Sequence, residues 1–155
     1  MDIYLWVKIL HIISATILFG TGIGIAFFMC ASHFAKNIHE RYFAARMTVI
    51  ADYCFTLPAV ILQPVTGAWL VMHGGFDAMD FWLKWTYALY IVAGICWLPV
   101  VWIQIQLRNM LAHAQSTGTA LPHRYHQLFK YWFLLGWPAF AALMVIFYLM
   151  VVKPI

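Results

Sequence analysis

Apolar residues gather in four long runs, at roughly 5–31, 49–73, 84–107 and 129–152, and polar residues collect between them. Each run reaches the twenty or so residues that an α-helix needs to cross the hydrocarbon core of a bilayer, about 30 Å. The first connection, Ser32 to Thr48, holds His33, Lys36, His39, Glu40, Arg41 and Arg46 and is expected to continue as helix. The second, Gly74 to Leu83, is short, with Gly74-Gly75 as a stop and Asp77 and Asp80 as its acids. The third, Arg108 to Gln127, carries Ser116-Thr117-Gly118-Thr119 ahead of Pro122. No internal repeat, low-complexity tract or interdomain linker stands out. The pattern predicts an all-α protein, a four-helix transmembrane bundle forming a single integral membrane domain over 1–155.

Composition supports that reading. Of 155 residues, 65% are hydrophobic and 9% charged, with a mean hydropathy of +0.84. A soluble domain carries about a quarter charged residues, so this chain cannot cover a water-facing surface. The net charge of +4 reflects basic residues clustered at particular span ends, the membrane pattern, and no nucleic-acid partner is expected. Cys30, Cys54 and Cys96 lie within or beside apolar runs without CxxC spacing, as small packing residues do. The first run is too long for a signal peptide, follows Asp2, and lacks a convincing cleavage site, so it is expected to be a retained span.

Orientation follows from lysine and arginine placement. The first and third connections with their flanks hold Lys36, Arg41, Arg46, Arg108, Arg124 and Lys130, six of the nine basic residues and every arginine. The positive-inside rule makes those connections cytoplasmic. Both termini and the 74–83 loop are then periplasmic, in a bacterial inner (plasma) membrane.

Ionisable and polar side chains inside spans mark interior faces. In the first span His11, Ala15, Leu18 and Gly22 share one side with Lys8 nearby, while Thr16, Gly20 and Gly24 form a small-residue row on the other, suited to a neighbouring helix. The second span carries a stripe of Asp52, Thr56, Ala59, Gln63, Thr66 and Gly67, ending near His73. Its Pro58 and Pro64 cannot donate backbone hydrogen bonds, which frees the carbonyls of Cys54 and Val60. Pairing with Arg46 or Arg108 would account for Asp52. Cross-helix packing accounts equally for Gln63 and Thr66. Trp97, Trp102 and Trp137 lie deep enough to stack on a planar ligand or to fill the core. His33, His39, His113, His123 and His126 read as a solvated cytoplasmic surface without zinc spacing.

The remaining candidates lie toward the outer face: Lys8, His11, His73, Lys84 and Lys153. At 1.5 Å per residue, His11 sits about 9 Å below the start of its span. A haem needs one or two axial ligands and cationic partners for its propionates. His11 is the first candidate for ligating iron and His73 the second, at a different depth. Lys8, Lys84 and Lys153 supply positive charge, or snorkel as ordinary span-end lysines.

These residues also carry a resemblance. Trp6-Val7-Lys8-Ile9-Leu10-His11-Ile12-Ile13 resembles the start of HemJ-type protoporphyrinogen oxidases, small four-span haem-b proteins. Thr56-Leu57-Pro58-Ala59, Gly67-Ala68-Trp69-Leu70, Trp82-Leu83-Lys84 and Val151-Val152-Lys153-Pro154 follow in the same order. The resemblance implies haem b held by His11, with Lys8, Lys84 and Lys153 as a shared feature. It departs at two places. Phe27-Phe28-Met29-Cys30-Ala31 stands where that family has Leu-Pro-Arg, and Leu135-Gly136-Trp137-Pro138 replaces its Asn-Glu pair before proline. The chain is more similar to a sister group of bacterial predicted integral membrane proteins.

The expectation is a haem-b-binding inner-membrane redox protein. If the enzymatic analogy holds, it is a membrane oxidoreductase that removes hydrogen from a porphyrin precursor and passes electrons to quinone. Two other classes stay open: a cofactor-free membrane subunit or assembly partner, self-associating or not, and a small quinone-binding protein or carrier working through Asp52, Gln63 and Gln104.

Overall fold

The computed structural model describes residues 2–154, and among them the chain is helical without strands. Helix α1 runs Ile3–His33, opened by Asp2, whose carboxylate accepts a hydrogen bond from the Tyr4 N–H at 3.1 Å. Helix α2, Ile38–Ala51, is capped in the same way by Asn37 through the His39 N–H at 2.9 Å. A π-helical segment, Asp52–Thr56, joins it without a break to α3, Leu57–His73. Helix α4 spans Phe81–Thr117 and ends at Gly118, whose φ of +67° is the left-handed conformation that glycine adopts most cheaply. Helix α5, His123–Val152, begins after Pro122.

With α2, the π-segment and α3 taken as one helix, four continuous helices of 31, 36, 37 and 30 residues result, each long and apolar enough to cross a membrane. They overrun the apolar runs at most ends. The first connection does continue as helix, through α2. Large apolar side chains are exposed on every span, Ile12, Val65, Ile95 and Tyr148 among them. Helices that are apolar on both inner and outer faces belong in lipid.

The antiparallel register of α1 on α3 is fixed by three contacts. A Cβ on Gly74 would meet the Tyr4 hydroxyl at 2.8 Å, His11 reaches Thr66, and Gln63 reaches Ser14. Each pair of numbers sums to 77 or 78, as two straight antiparallel helices require. The second span packs against α1 on one side and α4 on the other, and α4 packs along α5. Between the outermost helices, α1 and α5, Phe19 bridges by stacking on Phe140 at 4.9 Å and meeting Phe147 edge-on at 5.2 Å. A cleft runs beside that bridge.

Two apolar clusters hold the ends. Near the α1–α2 and α4–α5 turns, Met29, Ala45, Leu107, Leu111, Tyr125 and Trp132 pack together. At the opposite end Trp82, Leu83 and Leu149 pack with Val71 and Phe76. Lys153 lies over the Phe76 ring at 4.4 Å, so the C-terminal end meets the loop between α3 and α4, where Tyr4 also sits. Both chain ends therefore share one end of the bundle. In the glycine row of α1, Gly24 lines a groove with Ala44 and Met47 of α2. Gly20 is exposed, and added Cβ atoms at Gly20 or Gly24 would meet nothing within 4 Å.

Candidate functional site

In the first third of α1, against the middle of α3, lies a polar layer built around His11. Its Nδ1 is 2.7 Å from Thr66 Oγ1, and Thr66 Oγ1 in turn donates to the Leu62 carbonyl at 2.6 Å. A hydroxyl has one proton, and a carbonyl can only accept it. The hydrogen-bond network therefore assigns the proton between His11 and Thr66 to His11 Nδ1. The lone pair is left on Nε2, which has no hydrogen-bond partner among the described residues. Gly67 makes the approach feasible: a Cβ there would stand 3.3 Å from His11 Cε1. Gln63 Nε2 donates to the His11 carbonyl at 2.8 Å and to Ser14 Oγ, and Ser14 Oγ donates to the same carbonyl at 3.1 Å. The imidazole is thus oriented by α3 and its backbone is clamped by Gln63.

A second feature of this layer follows from Pro64. Lacking an N–H, it leaves the Val60 carbonyl without its helical donor. The Tyr90 hydroxyl on α4 fills that vacancy at 2.6 Å. The missing Pro64 donor and the cross-helix hydrogen bond are one device.

The other candidates group at the end of the bundle beyond His11, but the structure does not bring His73 to it. His73 Nδ1 hydrogen-bonds to the Trp69 carbonyl at 2.9 Å, and its ring stacks on Trp69 at 4.1 Å. Seven residues separate it from Thr66, about 10 Å of helix rise. Lys8, one turn outward from His11, and Lys84, at the start of α4, are exposed. Lys153 makes cation–π contacts with Phe76 and with Trp82, the latter at 5.5 Å.

The polar stripe of the second span divides in two. Gln63, Thr66 and Gly67 face α1, whereas Asp52 and Thr56 line a cavity of about 530 Å³ with Leu18 and Gly22 of α1, Gln104 of α4 and Trp132 of α5. The π-segment accounts for the split, because its wider turn, with the Leu57 N–H bonding to the Asp52 carbonyl, rotates everything beyond it. It also lies just before Pro58, where an α-helical donor is missing. Asp52, Thr56 and Gln104 are only 3, 4 and 2% exposed. Asp52 Oδ1 and Oδ2, Thr56 Oγ1 and Gln104 Oε1 are nevertheless without hydrogen-bond partners among the described residues.

The expected pairing of Asp52 with Arg46 or Arg108 is therefore not made. Arg108 turns to the Asn109 carboxamide at 2.8 Å, and Arg46 is exposed. Sequence periodicity placed Asp52 on an interior face but gave no sign that it would lack a partner.

At the far end, His33 is no solvated residue either. Its ring stacks on Phe129 at 4.0 Å and its Nδ1 is buried, while Arg41 Nε caps the neighbouring chain through the Ala35 carbonyl at 2.8 Å.

Four apolar helices, an antiparallel register and interior polar pairs describe an integral membrane protein. A family model described as "Predicted integral membrane protein (DUF2269)" matches residues 5–154. The chain belongs to that family. The match takes in all four spans and both polar clusters. No curated protein matches the chain, and no solved structure does.

Proposed function

We propose that this member of the DUF2269 family is a haem-b-binding redox protein of the bacterial inner membrane, with His11 as an axial ligand. The observation that carries the reading is the contact of His11 Nδ1 with a Thr66 hydroxyl already tied to the Leu62 carbonyl, which assigns the Nδ1–H tautomer. A histidine that ligates a metal through Nε2 normally donates its Nδ1–H to a fixed acceptor, which orients the ring and raises its basicity. Thr66, itself tied to the Leu62 carbonyl, is such an acceptor, and it leaves Nε2 as the ligating atom.

His73 fits less well. Its Nδ1 is held by its own helix and its ring by Trp69, two turns from the His11 level. A bis-histidine site from this pair has no support, and His11 is the single ligand in this reading. Lys8, Lys84 and Lys153 at the same end would hold propionates or an anionic substrate. Haem supplies the electron chemistry, and the protein supplies ligation, orientation and charge. The resemblance to HemJ-type oxidases extends the proposal to a substrate class, a porphyrin precursor that loses hydrogen, with electrons passing to quinone.

The test is a visible spectrum of the full chain purified after haem-supplemented expression. A Soret band with a reduced α-band in the haem-b region, lost in His11→Ala, supports the proposal. Folded protein without a chromophore overturns it. Haem retained in His11→Ala but lost in His73→Ala overturns the choice of ligand.

A further inference from the structure

The cavity beside α1 and α5 holds polar atoms that the His11 reading does not use. Its nearest residue on α1, Leu18, is two turns from His11. Four buried oxygens without partners, two from Asp52 and one each from Thr56 and Gln104, belong to residues that line it. A carboxyl group held away from water is costly unless it meets a hydrogen-bond donor or a counter-charge. Neither nearby arginine supplies one.

The rest of the wall is aromatic and aliphatic, including Phe27, Trp97, Trp132, Phe133, Trp137 and Phe140. Aromatic faces attract cations, most strongly where water is excluded. The volume of about 530 Å³ lies within the range of small-molecule pockets. The polar atoms also discriminate. Asp52, when ionised, and Gln104 Oε1 only accept, while Thr56 accepts or donates and Trp97, Trp132 and the Gln104 amide nitrogen can donate. A quinone, with carbonyl acceptors alone, could meet those donors but would leave the Asp52 carboxylate unpartnered. A ligand with N–H donors and positive charge matches it.

We propose that this cavity binds an apolar organic cation, an aromatic or alkyl amine whose ammonium group sits against Asp52, Thr56 and Gln104 while its body packs among the tryptophans. The protonated amine supplies a counter-charge that neither Arg46 nor Arg108 provides. Gln104 and Thr56 take its remaining N–H groups.

The proposal is tested with 2-naphthylmethylammonium and its neutral counterpart 2-naphthylmethanol, by equilibrium dialysis against the full chain in a non-ionic detergent. Partition into micelles is common to all variants and subtracts. Saturable binding of the ammonium is expected, weakened roughly thirtyfold or more in Asp52→Asn, as for loss of one partner of a buried charge pair. The alcohol should bind weakly, with little difference between the two proteins. Gly136→Leu provides a second variant, because a side chain there enters the cavity without meeting a neighbour within 4 Å at Cβ. It should abolish ammonium binding while leaving the His11 region intact. Equal affinity in Asp52→Asn, unchanged affinity in Gly136→Leu, or a short-chain benzoquinone that binds as well as the ammonium each overturns the proposal. So does protection against thermal unfolding by sodium with no ammonium binding, which would make this a site for an inorganic ion. Loss of haem in His11→Ala leaves this experiment unaffected, so the two sites fail separately.

Discussion

Tyr90→Phe removes one hydroxyl from the middle of the bundle, and its cost should depend on a residue it does not touch, Pro64. In the native chain Pro64 provides no N–H for the Val60 carbonyl, and Tyr90 donates to that carbonyl at 2.6 Å. Without the hydroxyl, the carbonyl loses its one donor inside the bundle. Cross-helix hydrogen bonds in membranes contribute about 0.6 kcal/mol on average and up to roughly 1.7 kcal/mol. A short bond to an acceptor with no alternative belongs toward the upper part of that range, so a loss of about 1–1.5 kcal/mol is expected. In a Pro64→Ala background, residue 64 regains its N–H and can close the helical bond to Val60. Tyr90→Phe should then cost about 0.5 kcal/mol or less, giving a coupling of up to about 1 kcal/mol. Equilibrium unfolding in mixed micelles, followed by tryptophan fluorescence for the four proteins of the cycle, measures it. Equal costs of Tyr90→Phe in both backgrounds would refute the link between Pro64 and the hydroxyl.

Other substitutions probe the same contacts. Gly74→Ala would place a Cβ 2.6 Å from the Leu70 carbonyl oxygen and 2.8 Å from the Phe76 ring and the Tyr4 hydroxyl. It should destabilise by about 1–3 kcal/mol in the same unfolding assay. If His11 ligates haem as proposed, Thr66→Val, which removes the acceptor that fixes its tautomer, should weaken haem affinity about tenfold or more in spectral titration. An unchanged titration would remove the tautomer argument. Gly67→Val crowds the His11 ring at its 3.3 Å approach and should shift the Soret position or empty the site, while thermal stability changes less. Single cysteines at Asp77 and Thr119, in a background freed of native cysteines, should react with an impermeant maleimide from opposite sides of intact cells. Asp77 should react from outside.

The sequence by itself determined four membrane spans, their antiparallel order and which residues make up the polar stripe of the second. Hydropathy is set by composition over twenty residues, and proline or glycine acts wherever it stands. It also marked His11 as interior, since a histidine so deep in an apolar run must find a partner. Only the tertiary structure decided which partner each polar residue meets. Thr66 takes His11, Tyr90 takes the Val60 carbonyl, Trp69 takes His73, and Asp52 has no hydrogen-bond partner among the described residues. In lipid both faces of a helix are apolar, so periodicity fixes the rotation of each span only weakly. The π-segment turned Asp52 and Thr56 away from Gln63 and Thr66 although all four share one stripe in the sequence. The separation of a histidine site from a carboxylate cavity is a product of that single wide turn and of how α1 and α5 meet.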